Sequence, residues 1–130
     1  MARVSEKELH SVLRRIVRIP LIRKKVNGRP IGLFLLPDAK MRAMKKKFLP
    51  REKGPANVLA FPVPKDWPHS GAKKAPLEEI YLNKKFATKR EAPILVLHGV
   101  LHLLGYDHKR KNDRIRMEKI EKEVIRKLGY

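Results

Sequence analysis

Apolar residues first recur at helical spacing near the start of the chain, where Leu9, Val12, Leu13, Ile16 and Val17 form one stripe. Ser5 and Glu8 precede the stripe with the three-residue spacing of a capping box, and Pro20 closes it, so a helix is expected over this segment. The next residues, "LIRKKVNGRP", are basic and carry an Asn27-Gly28 turn signal, which predicts a connection. "IGLFLL" (31–36) is short and apolar throughout, the pattern of a buried strand. Helical spacing returns in "PDAKMRAMKKKF", with Asp38 expected as N-cap and Met41, Met44 and Phe48 facing inward.

Beyond the loop "LPREKGPAN", the run "VLAFPV" (58–63) reads as a strand, and Pro62 places it at an edge or at its own end. Residues 64–76 are rich in Pro, Gly and Lys and predict a loop. "EEIYL" (78–82) predicts a third strand, with Glu78 and Glu79 read as solvated edge carboxylates, or one of them as a general base or water-orienting group. "EAPILVLHGVLHLL" has Pro93 near its start and Gly105 just past its end, as helices do. It is apolar on nearly every side, so it should be a central buried helix. From Asp113 onward, Met117, Ile120, Val124 and Leu128 mark a last amphipathic helix. Helices mixed with short strands and few long crossovers predict an α+β fold, a small mixed sheet covered by helices, within one domain spanning residues 1–130.

Charge changes this picture from a fold to a class of partner. The chain carries 32 Lys and Arg against 13 Asp and Glu, a formal net charge of +19. Such an excess predicts a polyanion partner, and RNA or DNA fits it best. With 3 Tyr, 4 Phe and 1 Trp, an aromatic stacking platform is not evident. The absence of cysteine excludes disulfides and thiolate metal sites. The N-terminus lacks the apolar stretch of a signal peptide, and no run is long enough to span a bilayer. A soluble, cytoplasmic protein is expected.

The chemistry concentrates in "LHGVLHLLGYDH", residues 97–108, which holds three of the five histidines. On a helix, His98 and His102 lie one turn apart on one face, within reach of one metal ion. A continuing helix would carry His108 about 9 Å further along the axis and away from that face. Gly105 can take the left-handed conformation that ends a helix and turns the chain back, returning His108 to the same point. The spacing H-x-x-x-H-x-x-G-x-x-H resembles the metzincin zinc site, except that Gly99 stands where those peptidases carry a Glu base. Three imidazoles leave a fourth zinc position open, the arrangement of a catalytic site. Zinc is expected, one ion per chain, although nickel, cobalt and copper also suit imidazole. Asp107 is read as either an orienting carboxylate or a turn residue. His10 and His69 stand apart from the cluster and are read as incidental.

"HGVLHLLGYDH" resembles the signature of the YbeY family of bacterial endoribonucleases. "RPIGLFLLPDAKMRAMKKKF", "GPANVLAFPVP", "LEEIYLN" and "MEKIEKEVIRKLGY" are similar to further family segments, so the likeness covers about residues 30–130. The resemblance implies zinc ligation by His98, His102 and His108 and a functional arginine in the loop "FLPREKGPAN", where it falls on Arg51. It also implies action on single-stranded RNA, in 16S rRNA 3′-end maturation and ribosome quality control. The chain departs from the family pattern at Ala56 and Ala60, which replace a Thr and a Ser, and at Glu78-Glu79, which replace Gly-Asp. The family's first strand, ahead of the first helix, is not expected here.

An open metal site performs hydrolysis, and a strongly cationic surface recruits a polyanion. Together they predict metal-assisted cleavage of RNA, with Arg51 or a nearby Lys neutralising charge on the phosphate. Two other readings use the same residues. A non-catalytic RNA- or ribosome-binding factor would keep the metal for structure, and a zinc peptidase would share the ligand spacing.

Overall fold

The structure, a computed structural model, describes residues 3–62, 78–107 and 109–129. The elements run α1 (Glu6–Val17), α2 (Pro20–Val26), β1 (Ile31–Leu36), α3 (Asp38–Phe48), β2 (Val58–Phe61), β3 (Glu78–Asn83), α4 (Ala92–Leu103) and α5 (Lys111–Leu128). This is the α+β arrangement that the patterning predicts. The loop expected over 64–76, with His69, lies outside the described residues, as does His108.

α1 begins with the expected capping box. The Ser5 hydroxyl accepts from the Glu8 amide at 3.1 Å, and the Glu8 carboxylate accepts from the Ser5 amide at 3.3 Å. Leu9, Val12, Leu13 and Ile16 are buried on one face. Pro20 does more than end this helix, because it occupies the first turn of α2, a helix where the sequence pattern predicts a connection. A helix start needs no amide there, and the fixed φ of proline is already helical. Ile22 and Val26, one turn apart, bury the inner face of α2, and Asn27 ends it at φ 51°. Ahead of α1, Arg3 forms an isolated bridge to Thr88, and among the described residues no strand precedes α1.

The sheet has the order β1-β3-β2, with β1 parallel and β2 antiparallel to β3. Alternation along the strands sends Leu33, Val58, Ile80 and Leu82 into the main core, against α1 and α4. Met41, Ala56 and Leu59 form a second, smaller core on the opposite face, joined by Phe61 and Tyr81. Phe48, expected to face inward, is 56% exposed at the end of its helix. The ring chain Phe34–Tyr81–Phe61–Phe48 crosses this face at centroid spacings of 5.1, 5.8 and 5.8 Å. β2 is an edge strand and stops just before Pro62, in keeping with the missing amide.

Two expectations about carboxylates are corrected. β3 is the central strand, so Glu78 is 3% exposed and ion-paired to Arg29 at 2.9 Å, not solvated at an edge. Asp38 is the first helical residue of α3, and Pro37 is its N-cap. The Asp38 carboxylate accepts from the Asn83 side-chain amide at 2.7 Å and pairs with Arg42 at 3.1 Å.

α4 is buried along most of its length, as its all-round apolar sequence requires. It lies so close to the sheet that a Cβ on Gly99 would meet Ile80 Cγ2 at 2.8 Å and Val58 Cγ2 at 3.3 Å. α5 covers α4 from the other side through Met117, Val124 and Leu128 and starts at Lys111, two residues ahead of Asp113. Among the described residues, no helix is long and apolar enough to cross a membrane.

Candidate functional site

With Gly99 against the sheet, the neighbouring residue His98 turns toward the side where α4, β2 and the loop after α3 meet. His98 and His102 stand one turn apart, and their Nε2 atoms approach to 2.9 Å, with ring centroids 4.5 Å apart. Both rings are only partly buried, so solvent reaches the pair. On the far side of the His98 ring, Nδ1 lies 3.3 Å from a carboxylate oxygen of Glu121 on α5.

The end of α4 follows the logic read from Gly105. That residue has φ 93°, its amide donates to His102 O at 3.0 Å, and the Tyr106 amide donates to Leu101 O at 3.0 Å. These two bonds make a Schellman motif, which reverses the chain directly after the second histidine. The Asp107 carboxylate accepts from the Lys109 amide at 2.5 Å, which is the turn role considered for it. His108, between them, lies outside the described residues. Among the described residues, no three His, Cys, Asp or Glu side chains are grouped as a metal site. Two imidazole nitrogens that converge from one helix face, one ring backed by a carboxylate, do fit part of a zinc donor set. His10 sits apart and exposed on α1, its Nδ1 2.7 Å from Glu6 O.

Two clefts meet at His102. One, of about 290 Å³, is lined by Lys45, Glu52, Lys53, Asn57, residues 58–60 of β2, His98 and His102. The other, of about 620 Å³, is lined by Arg51, Glu52, Lys53, His102, Tyr106 and Lys109. Glu52, Lys53 and His102 border both. Arg51 therefore lies in the cleft beside His102, though not in the one that holds both rings.

The loop that carries Arg51 is pinned at both ends. Lys45 Nζ donates to Gly54 O, and the Glu52 amide donates to Leu49 O at 3.1 Å. Buried Asn83 donates through its side-chain amide to Ala56 O at 3.0 Å, and its backbone amide donates to Asn57 O at 2.9 Å. Asn83 thus joins the loop, the start of α3 and the end of β3. Sequence reasoning missed Asn83, Glu52, Lys45 and Glu121. Asn at the end of an apolar strand was the one available signal for Asn83, and Glu121 falls on the apolar stripe of α5. On the outer sheet face, burial, together with the carboxylate of Glu79 accepting from its hydroxyl at 2.6 Å, pushes Tyr81 up to about 12.

Comparison with known proteins adds an independent line. Residues 1–129 match the family described as Endoribonuclease YbeY. The protein of that name from Wolbachia sp. subsp. Drosophila simulans is 33% identical over 110 residues, covering 77% of this chain and 69% of its own. The one from Coxiella burnetii is 34% identical over 120 residues, covering 75% and 76%. The one from Sulfurovum sp. is 28% identical over 118 residues, covering 83% and 78%.

Proposed function

The chain belongs to the YbeY endoribonuclease family, and from that premise we propose that it is a zinc-dependent endoribonuclease cutting single-stranded RNA at the cleft around His98 and His102. The observation that carries this reading is the 2.9 Å convergence of the two Nε2 atoms in a cleft lined by Lys45 and Lys53, which meets at His102 a second cleft lined by Arg51, Lys53 and Lys109. His98 and His102 would hold the ion together with His108, which the spacing after Gly105 supplies as third ligand. A zinc ion bound there supplies Lewis-acid charge and acidifies water.

The chain's own residues do the rest. Lys45 on one side of the pair and Lys109 on the other hold backbone phosphates, so a strand crosses the site instead of ending in it. Arg51 or Lys53 neutralises charge that grows on the reacting phosphate. Glu52, the carboxylate that borders both clefts, is placed to accept a proton there. Gly99 supports RNA over peptide as substrate, because a side chain at that position would point into the sheet and could not serve as a peptidase base. By family resemblance the RNA is rRNA, with maturation of the 16S 3′ end and ribosome quality control as the context, the ribosome as partner and the cytoplasm as location.

Metal-loaded protein incubated with labelled single-stranded RNA tests this reading. Internal cuts that a chelator abolishes are expected. RNA bound but left intact would make the protein a binding factor, and cleavage of a peptide instead would make it a peptidase.

A further inference from the structure

α5 packs on α4 through Met117, Val124 and Leu128, and Glu121 sits on this same face, four residues after Met117 and three before Val124. A carboxylate in an apolar stripe costs free energy unless it is paired. Glu121 is 18% exposed, and one of its oxygens lies 3.3 Å from His98 Nδ1. The other nitrogen of that ring, Nε2, is the one that meets His102. A neutral imidazole carries a single N–H, so a proton held at Nδ1 leaves a lone pair at Nε2.

We propose that Glu121 is a positioning residue: its carboxylate holds the Nδ1 proton of His98, fixing the ring and tautomer that aim the Nε2 lone pair at the point shared with His102. The inference rests on the reading of His98 and His102 as zinc ligands. Carboxylates behind ligating histidines also raise their basicity, and losing such a partner lowers metal affinity about 10- to 100-fold. Glu121 thus ties the last helix of the fold to the candidate site without touching the substrate.

Two readouts on the full chain test it. The first is the tautomer of His98 in zinc-free protein, read by long-range nitrogen–proton NMR and assigned by comparison with His98→Ala. Wild type and Glu121→Gln should show the proton on Nδ1, because an amide oxygen still accepts it, and Glu121→Ala should lose that preference. The second is zinc affinity, measured by competition with a chromophoric chelator. Glu121→Ala should bind about 10- to 100-fold more weakly, with Glu121→Gln between it and wild type. If Glu121→Ala does not fold, the Gln variant alone decides through affinity, since it keeps the contact and removes the charge. A wild-type tautomer with the proton on Nε2, or affinities equal in all folded variants, would overturn the proposal. Zinc failing to bind wild type, or binding unchanged in His98→Ala, would overturn the ligand reading instead, whatever the tautomer.

Discussion

The Cβ that Gly99 lacks would stand 2.8 Å from Cγ2 of Ile80. Ile80 is fully buried in the central strand, so it cannot move aside cheaply. Gly99→Ala should destabilise the fold by about 1–3 kcal/mol through overpacking, reduced by about 1 kcal/mol because Ala favours a helix more than Gly does. Urea unfolding followed by circular dichroism measures the net change. A variant more stable than wild type would mean that α4 has slack against the sheet.

Arg29 holds one oxygen of buried Glu78, and the other oxygen has no hydrogen-bond partner among the described residues. Arg29 also donates to the carbonyls of Val26 and Lys25, at 3.0 and 3.2 Å, and so caps α2. Arg29→Ala leaves a buried carboxylate without its cation and should cost roughly 1–3 kcal/mol. Adding Glu78→Gln should recover part of that loss, because the stranded charge is gone. Strictly additive losses in the double variant would show that the two side chains do not interact.

Tyr81 should ionise near 12 instead of near 10, since burial and then the Glu79 carboxylate both oppose its phenolate. The folded value exceeds the unfolded one, so the stabilisation is complete below pH of about 10 and is lost as pH rises through about 12. A phenolate absorbance titration should show this late step, and Glu79→Gln should move it down. No downward movement would remove Glu79 as a cause.

Arg51 lines one cleft with His102, while Lys53 lines both. On a chain of 32 Lys and Arg, removing one cation should barely weaken RNA binding. A cation placed at the reacting phosphate stabilises charge that grows in the transition state, so Arg51→Ala should slow single-turnover cleavage by roughly 10²-fold. Arg51→Lys should restore only part, lacking the planar two-pronged contact. If Arg51→Ala cuts normally and Lys53→Ala does not, Lys53 holds the role.

What was legible in the sequence was local. The α1 cap, the buried stripe of α4 and the reversal at Gly105 each depend on residues within a turn or two, and spacing alone specifies them. α2 was hidden because Pro20 serves equally to stop one helix and start another, and only the burial of Ile22 and Val26 decides. The burial of Glu78 depends on strand order, which no local pattern encodes, and its cation comes from a turn before β1. Glu121 reaches His98 across 23 residues of sequence, through the packing of α5 on α4. The histidine pair was readable from helical periodicity, whereas the clefts on either side of it arise from a loop that Asn83 anchors from another strand.

The central claim is that RNA is cut where His98 and His102 converge. The most direct measurement is the single-turnover cleavage rate of saturating labelled single-stranded RNA by zinc-loaded wild type and His102→Ala, with zinc content assayed in the same samples. The account predicts about one zinc per chain and internal cleavage for wild type, and loss of most of the zinc and nearly all cleavage for the variant while RNA binding persists. Cleavage by His102→Ala at the wild-type rate would contradict it.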